Sequence, residues 1–363
     1  MIDEITQDNQ AYTYDDKLLV PGYSDIKSRN ENTNTSCELF DGMKFEIPII
    51  PANMNMVTEH KMVTSMLSLG GTGILHRFMS PNDVSNQVKC IIQNGTSIKG
   101  KFGISVGVDN KFYDLVFSEL EKEDLLSSVG YVAVDVAHGD HILVKRTLQD
   151  IKSRFDFPII AGNICTPEAA QRLIDWGADC LKGGIGGGSV CTTRIKTGFG
   201  YPQLSAVQNI YQYLLMNNLT HIKLIADGGI KQEGDIVKAL AAGADFVMVG
   251  GMIAGTDKTP GKVLSMGGEK YKMYEGMASV DSQVTFFNKS SDDIAPEGEA
   301  TQVKYRGKGS LEKKIKNMIK YIQTGMSYAG CHDLKELKDF GQKPESWVIQ
   351  TYAGMIEGTP HGA

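Results

Sequence analysis

Ile222-Lys-Leu-Ile-Ala-Asp-Gly-Gly229, a helical run from Gly234 to Ala242 closed by Gly243, and Asp245-Phe-Val-Met-Val-Gly-Gly251 together decide the fold. Two short apolar runs each end in polar or glycine residues, with a segment of helical spacing between them. Strand, helix and strand in this order call for parallel pairing through a crossover. The same unit recurs toward the N-terminus. Glu46 to Asn53, Gly71 to Leu75, Phe102 to Gly107, Tyr131 to Asp135, Pro158 to Ala161 and Asp179 to Gly183 read as further strands. Helices are expected over His60 to Leu69, from Ser80-Pro81 onward, near 111–123, over His141 to Ser153, from Thr166-Pro167 to Trp176 and near 203–217. Ser80 and Thr166 are capping residues, and the prolines after them suit a first helical turn.

Eight strands with helices between most of them fit an α/β fold of the (β/α)8 TIM barrel type. A doubly wound open sheet would place a G-x-G-x-x-G after the first strand, and none is there. Polar and glycine residues fall repeatedly just after strands: Asn53, His76-Arg77, Asp135, His138, Gly162-Asn163, Asp227-Gly-Gly229 and Gly250-Gly251. In a barrel these positions converge on the C-terminal face, where active sites lie. One such residue alone is a turn residue; their coincidence marks a site.

The segment after the sixth strand, Lys182 to Gln203, has five glycines between Gly183 and Gly188, then Ser189, Cys191, Thr192, Thr193 and Arg194. It lacks apolar periodicity and reads as a loop whose backbone can approach a ligand closely. Gly186, Gly188 and Ser189 offer N–H groups and a hydroxyl to a phosphate. Asp227-Gly228-Gly229 and Gly250-Gly251 follow strands seven and eight, the usual barrel phosphate site. Asp227 suits ribose hydroxyls. The ligand class is a nucleotide monophosphate or a similar sugar phosphate. Cys191 is a candidate nucleophile, its thiolate favoured by nearby N–H groups and Arg194. Thr193 could pass a proton, with Glu297 of Pro296-Glu-Gly298 as its partner.

Bulk properties narrow the class. The 363 residues are 41% hydrophobic and 22% charged, with a formal charge of −6. The dispersed basic residues argue against a nucleic-acid partner. No apolar run is long enough for a membrane span, and the acidic start MIDEITQDNQ reads as neither signal nor transit peptide. The six cysteines have no spacing that holds zinc, and reduced thiols in a cytoplasmic setting are expected. Past residue 252, Glu269 to Gly276 reads as a hairpin-like piece and Val280 to Thr301 as a long polar loop of lid type. A helix near 310–323 and a turn at Gly325 to Gly330 follow. The expected organisation is one barrel domain over 1–363, with an N-terminal arm at 1–45, a mobile flap at 277–305 and a C-terminal tail at 341–363.

These residues carry a resemblance. Pro51-Ala-Asn-Met54, His76-Arg-Phe78, Ser105-Val-Gly-Val108, Asp135-Val-Ala-His-Gly139, Ala161-Gly-Asn163, Gly186 through Gln203, Asp227-Gly-Gly229, Gly250-Gly251, Gly276-Met277 and Ser327-Tyr-Ala-Gly330 resemble, in order, the IMP dehydrogenase/GMP reductase family. Ser189-Val-Cys-Thr-Thr-Arg-Ile-Lys-Thr-Gly198 is its most specific block. The reductase branch is the closer match, through Arg194 to Val207. About 25 residues separate His76 from Phe102, without the regulatory insert usual in the dehydrogenases. The stretch 280–296 contains neither arginine nor tyrosine, where dehydrogenases use an Arg-Tyr pair to activate water.

The resemblance implies NADPH-dependent reductive deamination of GMP to IMP and ammonia, through a covalent Cys191 adduct with Thr193 and Glu297 managing protons. The alternatives are IMP dehydrogenase and a catalytically silent purine-nucleotide-binding barrel. The GMP positions it implies are Ser189, Asp227, Gly228, Gly229, Gly250, Gly251, Gly276, Met277 and Ala278. The cofactor positions are Ser28, Arg29, Arg77, Asp135, Val136, Ala137, Ile185, Gly186 and Tyr328, where arginines suit a 2′-phosphate. Gly186, Gly188, Cys191 and Arg194 match a loop that holds a monovalent cation, potassium, and the assembly implied is a homotetramer. Gly187 and Ala278 depart from the family's common proline and the reductases' common serine, which opens the choice among ribo-, deoxy- and modified purine nucleotides.

Overall fold

The computed structural model describes residues 10–93, 99–279, 284 and 295–359. Eight parallel strands form the barrel wall: β1 (Ile49–Pro51), β2 (Ile74–Leu75), β3 (Gly103–Val106), β4 (Tyr131–Asp135), β5 (Ile159–Ile164), β6 (Cys180–Gly183), β7 (Lys223–Asp227) and β8 (Phe246–Val249). Their hydrogen-bonded order is β1-β8-β7-β6-β5-β4-β3-β2, so neighbours in sequence are neighbours in space, as a (β/α)8 TIM barrel requires. All eight expected strands are present. The strands are buried along nearly their whole length, because helices cover the outside and side chains fill the inside.

The helices follow the sequence signals: α1 (His60–Ser68), α2 (Pro81–Ile92), α3 (Asn110–Lys122), α4 (Ile142–Arg154), α5 (Pro167–Asp175), α6 (Gln203–Met216), α7 (Glu233–Ala241) and α8 (Ser310–Ala329). The Ser80 hydroxyl accepts the Asp83 N–H and the Thr166 hydroxyl that of Ala169, each with proline in the first turn. Gly243 has a φ of 124° and stands against the Tyr211 ring, so it both ends the α7 segment and admits close packing.

Three differences from the sequence reading have physical causes. The helix expected to stop near 323 runs to Ala329 and closes at Gly330 in the left-handed region; Gly325 to Gly330 is therefore no turn. A Cβ on Gly325 would come within 2.5 Å of Val237 Cγ1, so this glycine serves the close contact of α8 with α7 rather than a break. Strand β5 continues through Asn163, with a register shift between Gly162 and Ile164, instead of stopping at Ala161. The polar arm over 1–45 reads as loop-like in sequence, yet Cys37–Phe40 and Met43–Phe45 form a hairpin, and Lys17–Leu19 pairs antiparallel with Trp347–Ile349 of the tail.

The hairpin-like piece is part of a three-stranded antiparallel sheet of Leu264–Met266, Glu269–Glu275 and Ala300–Lys304. Glu275 lies opposite Ala300. That pairing sets Gly276 to Ala278 beside Glu297 to Glu299 and aims both at the barrel mouth. Most of the expected long loop, 280–283 and 285–294, lies outside the described residues.

Candidate active site

The cysteine loop leaves β6 and is met by the segment from Glu297 to Glu299. Cys191 and Gly298 form an antiparallel bridge. The Thr192 N–H donates to the Glu297 carbonyl at 2.8 Å, and the Glu299 N–H to the Val190 carbonyl at 2.9 Å. This short ladder fixes the Glu297 side chain over the loop. The Cys191 thiol donates to Thr193 Oγ1 at 3.2 Å, and the Thr193 hydroxyl donates to Glu297 Oε2 at 2.7 Å. Thiol, hydroxyl and carboxylate thus form one directed chain, which can carry a proton from sulfur to carboxylate. Cys191 is partly exposed and is one of six free cysteines. The Arg194 guanidinium faces the carbonyls of Ile185 and Tyr201, which closes the loop on itself.

A cavity of about 890 Å³ opens at the C-terminal ends of the strands. Cys191, Thr193, Glu297, Ser189, Asp227, Gly228, Gly276, Met277 and Ala278 all line it. Gly229, Gly250 and Gly251 stand behind this lining. A Cβ on Gly250 would lie 2.8 Å from the Tyr274 hydroxyl, and one on Gly251 2.9 Å from Ser189 Oγ. Those two hydroxyls are 3.0 Å apart. The two glycines therefore make room for a hydroxyl pair that a phosphate oxygen could engage. Burial raises the Tyr274 phenol above its ordinary value, partly offset by Ser189, so it stays a neutral donor. The Gly229 N–H is already taken by the Gly187 carbonyl at 2.7 Å.

At the floor, Lys182 of β6 is buried and reaches two carboxylates. Its Nζ lies 2.9 Å from Asp135 Oδ1 and 2.7 Å from Asp227 Oδ2. Asn53 donates to Asp135 Oδ2 at 3.0 Å and to Ser105 at 2.7 Å. Asn163 donates to Asp227 Oδ2 at 2.9 Å. Burial alone would raise the Asp135 carboxyl, but Lys182 and Arg77 hold it below the usual carboxylate range. Burial pulls the Lys182 ammonium down, and the two aspartates more than reverse this, so it stays charged.

Arg77, Asp135, Val136, Ala137, Ile185 and Gly186 line the same cavity. Ser28, Arg29 and Tyr328 do not. They meet at the C-terminal end of α8, where the Arg29 guanidinium carbon lies 5.7 Å from the Tyr328 ring centre and Arg29 donates to Thr324 at 3.1 Å. Sequence reasoning overlooked Lys182 and Tyr274. The signal for Lys182 was a charge inside an apolar strand. Tyr274 gave none, since aromatic residues are ordinary in strands. Among the described residues no group of three or more His, Cys, Asp or Glu side chains could hold a metal, and no helix is long and apolar enough to cross a membrane.

The chain matches the model of the IMP dehydrogenase / GMP reductase domain over residues 11–361. It is 35% identical over 400 residues to an inosine-5'-monophosphate dehydrogenase of Cryptosporidium parvum, covering 97% of this chain and 95% of the relative. It is 36% identical over 332 residues to a GMP reductase of Lactobacillus delbrueckii subsp. bulgaricus, covering 91% and 93%. An inosine-5'-monophosphate dehydrogenase of Nitrosopumilus maritimus is 29% identical over 97% of this chain. Relatives of both activities stand at similar distances. The Cryptosporidium dehydrogenase matches over nearly its whole length within those 400 positions, so the short connection between His76 and Phe102 does not separate the two activities. With the barrel, the thiol loop and these matches in agreement, the chain belongs to the IMP dehydrogenase/GMP reductase family, oxidoreductases of purine metabolism that use a nicotinamide cofactor.

Proposed function

We propose that the protein is a GMP reductase, reducing GMP to IMP and ammonia with NADPH. One observation carries the choice within the family: the stretch 280–296 has no arginine and no tyrosine, and so does not supply the pair a dehydrogenase uses there to activate water. The proton chain through Thr193 to Glu297 serves an amine leaving group without it.

In this reading the Cys191 proton passes through Thr193 to Glu297, and the sulfur adds to carbon 2 of the purine. Glu297 returns that proton through Thr193 to the 2-amino group. The C–N bond breaks with a second proton taken from solvent, and the nitrogen leaves as ammonium. Arg77, Asp135, Val136 and Ala137 would hold the nicotinamide cofactor beside the purine, where it would supply the hydride that carbon 2 accepts. The C–S bond then breaks, its electron pair returns to Cys191, a second solvent proton restores the thiol, and IMP departs. The sum is GMP, NADPH and two protons giving IMP, NADP and ammonium.

The other roles follow from position. Asp227 has both Lys182 and Asn163 on Oδ2. Among the described residues Oδ1 has no hydrogen-bond partner, which leaves it for a ribose hydroxyl. Ser189, Tyr274 and Gly228 would receive the phosphate, with Gly276, Met277 and Ala278 along the base. Arg77, Asp135, Val136, Ala137, Ile185 and Gly186 would meet the cofactor. Ser28, Arg29 and Tyr328 stand outside this lining and would meet the cofactor from a neighbouring copy in a homotetramer. The main-chain carbonyls of Gly186, Gly188 and Cys191 are the neutral oxygen donors that potassium takes, and the cation would stiffen the loop. The Arg194 side chain, itself a cation on two carbonyls, would not be a ligand. Residues 277–305 would act as the flap over this site.

The test is to mix purified protein with GMP and NADPH and follow the absorbance of the reduced nicotinamide. Loss of signal with IMP and ammonium formed supports the reductase. NADH made from IMP and NAD instead would overturn it in favour of the dehydrogenase. Nucleotide binding without either turnover would assign the silent barrel.

A further inference from the structure

Lys182 sits where the two halves of the site meet. It is the third residue of β6 and is 3% exposed. Its ammonium is held by Asp135 at the end of β4 and by Asp227 at the end of β7. Neither carboxylate touches the other's remaining partners. Asn53 holds Asp135 and Asn163 holds Asp227, so among the described residues the lysine is the one side chain bonded to both. Asp135 continues into Val136 and Ala137, and Asp227 into Gly228, all of them lining the cavity.

A buried ammonium between two carboxylates does more than neutralise charge. The N–H bonds stand at tetrahedral angles to one another, so a bond to one carboxylate constrains where the Nζ can meet the other. A ligand hydroxyl that docks on Asp227 orders that carboxylate and hence the ammonium. A second ligand at Asp135 then finds its acceptor already ordered and bears less of the conformational entropy cost. The effect is reciprocal: each ligand strengthens the other by the same factor.

We propose that Lys182 is a positioning residue that couples the nucleotide pocket to the cofactor pocket through its shared grip on Asp135 and Asp227. The proposal rests on the assignment above of Asp227 to the nucleotide and Asp135 to the cofactor. Neither asparagine can replace it, since each reaches one carboxylate. Replacing Lys182 alone leaves two carboxylates facing each other without their cation, which destabilises the floor. A charge-balanced variant avoids this: Lys182→Met with Asp135→Asn removes one positive and one negative charge together.

Calorimetric titrations of nucleotide, in the absence and presence of saturating oxidised cofactor, measure the coupling as a ratio of affinities. GMP and IMP are each paired with NADP and with NAD, so the measurement does not depend on which reaction the enzyme runs. In the unsubstituted protein, saturating cofactor should tighten the nucleotide by about fivefold or more. In Lys182→Met and in the charge-balanced double variant the ratio should fall to one, with nucleotide still bound. Asp135→Asn alone, which retains Lys182 and an acceptor oxygen for it, should keep a ratio above one. A double variant that binds nucleotide and retains the full ratio overturns the role of Lys182. A ratio of one in the unsubstituted protein overturns it as well. If no nucleotide and cofactor pair binds the unsubstituted protein, the functional assignment itself fails, a result distinct from both.

Discussion

Replacing Thr193 with valine removes one hydroxyl and little else. That hydroxyl accepts from Cys191 Sγ at 3.2 Å and donates to Glu297 Oε2 at 2.7 Å, so its loss cuts the hydrogen-bonded route from thiol to carboxylate. Two magnitudes compete. A hydrogen bond to a charged group contributes about 1.5–3 kcal/mol, which taken alone would slow turnover by about ten- to a hundredfold. A positioned acid–base group contributes about 10²–10⁴-fold. A relay used once to free the thiol and again to protonate the amine belongs to the larger class. Turnover of Thr193→Val should therefore fall at least about a hundredfold. The nucleotide KM should move by less than about threefold, because the phosphate and ribose contacts stand apart from Thr193. Thr193→Ser keeps the hydroxyl and should recover most of the rate. The assay is initial-rate consumption of NADPH, with mass spectrometry for the Cys191 adduct in single-turnover samples. A valine variant within tenfold of the unsubstituted enzyme would refute the relay.

Three other substitutions probe the frame around it. In Gly251→Ala the new Cβ lies 2.9 Å from Ser189 Oγ and must displace that hydroxyl. Nucleotide KM should rise about tenfold, the cost of one weakened bond to a charged phosphate, with the melting temperature nearly unchanged; an unaltered KM would remove Ser189 from the phosphate site. In Gly103→Ala the Cβ meets Tyr131 Cε2 at 2.3 Å inside the wall, and overpacking should cost about 1–3 kcal/mol in a urea titration. Asp135 has a folded-state pKa below its ordinary value. Its contribution to stability is thus present above the ordinary carboxylate range and disappears as pH falls through the depressed folded value. Melting temperature against pH on the acid side should show a shallower slope for Asp135→Asn than for the unsubstituted protein.

The barrel was legible because its signals are local. Each strand is a short apolar run stopped by a polar or glycine residue, and each of α2 and α5 is announced by a hydroxyl cap followed by proline. The same locality exposed half the site. Asp135 and Asp227 are anomalous beside the apolar residues before them, and so they stood out. The relatives of both activities explain why the resemblance reached the family sooner than the direction of the reaction. On the proposed reading, the choice between water and ammonia turns on the stretch 280–296, a polar segment without periodicity.

What escaped the sequence depends on long-range geometry. Tyr274 is one of two tyrosines in the strand Glu269–Glu275, and nothing local tells it apart from Tyr271. It matters because the strand Glu269–Glu275 brings its hydroxyl to 3.0 Å from Ser189, 85 positions away in the chain. Glu297 is named from the sequence as a partner for Thr193, although by itself it would pass as a solvated loop charge. It becomes chemical only when the pairing of Glu275 with Ala300 extends into the bridge between Cys191 and Gly298. Lys182 is the sharpest case. A lysine within an apolar strand is visible as an exception, but its meaning depends on two partners, 47 positions before it and 45 after it, arriving at one point. Strand-end polarity can be read from a window of a few residues. A shared counter-ion cannot, because its energy comes from the barrel's closure around it. The residues that join one pocket to another are therefore the ones a linear reading passes over.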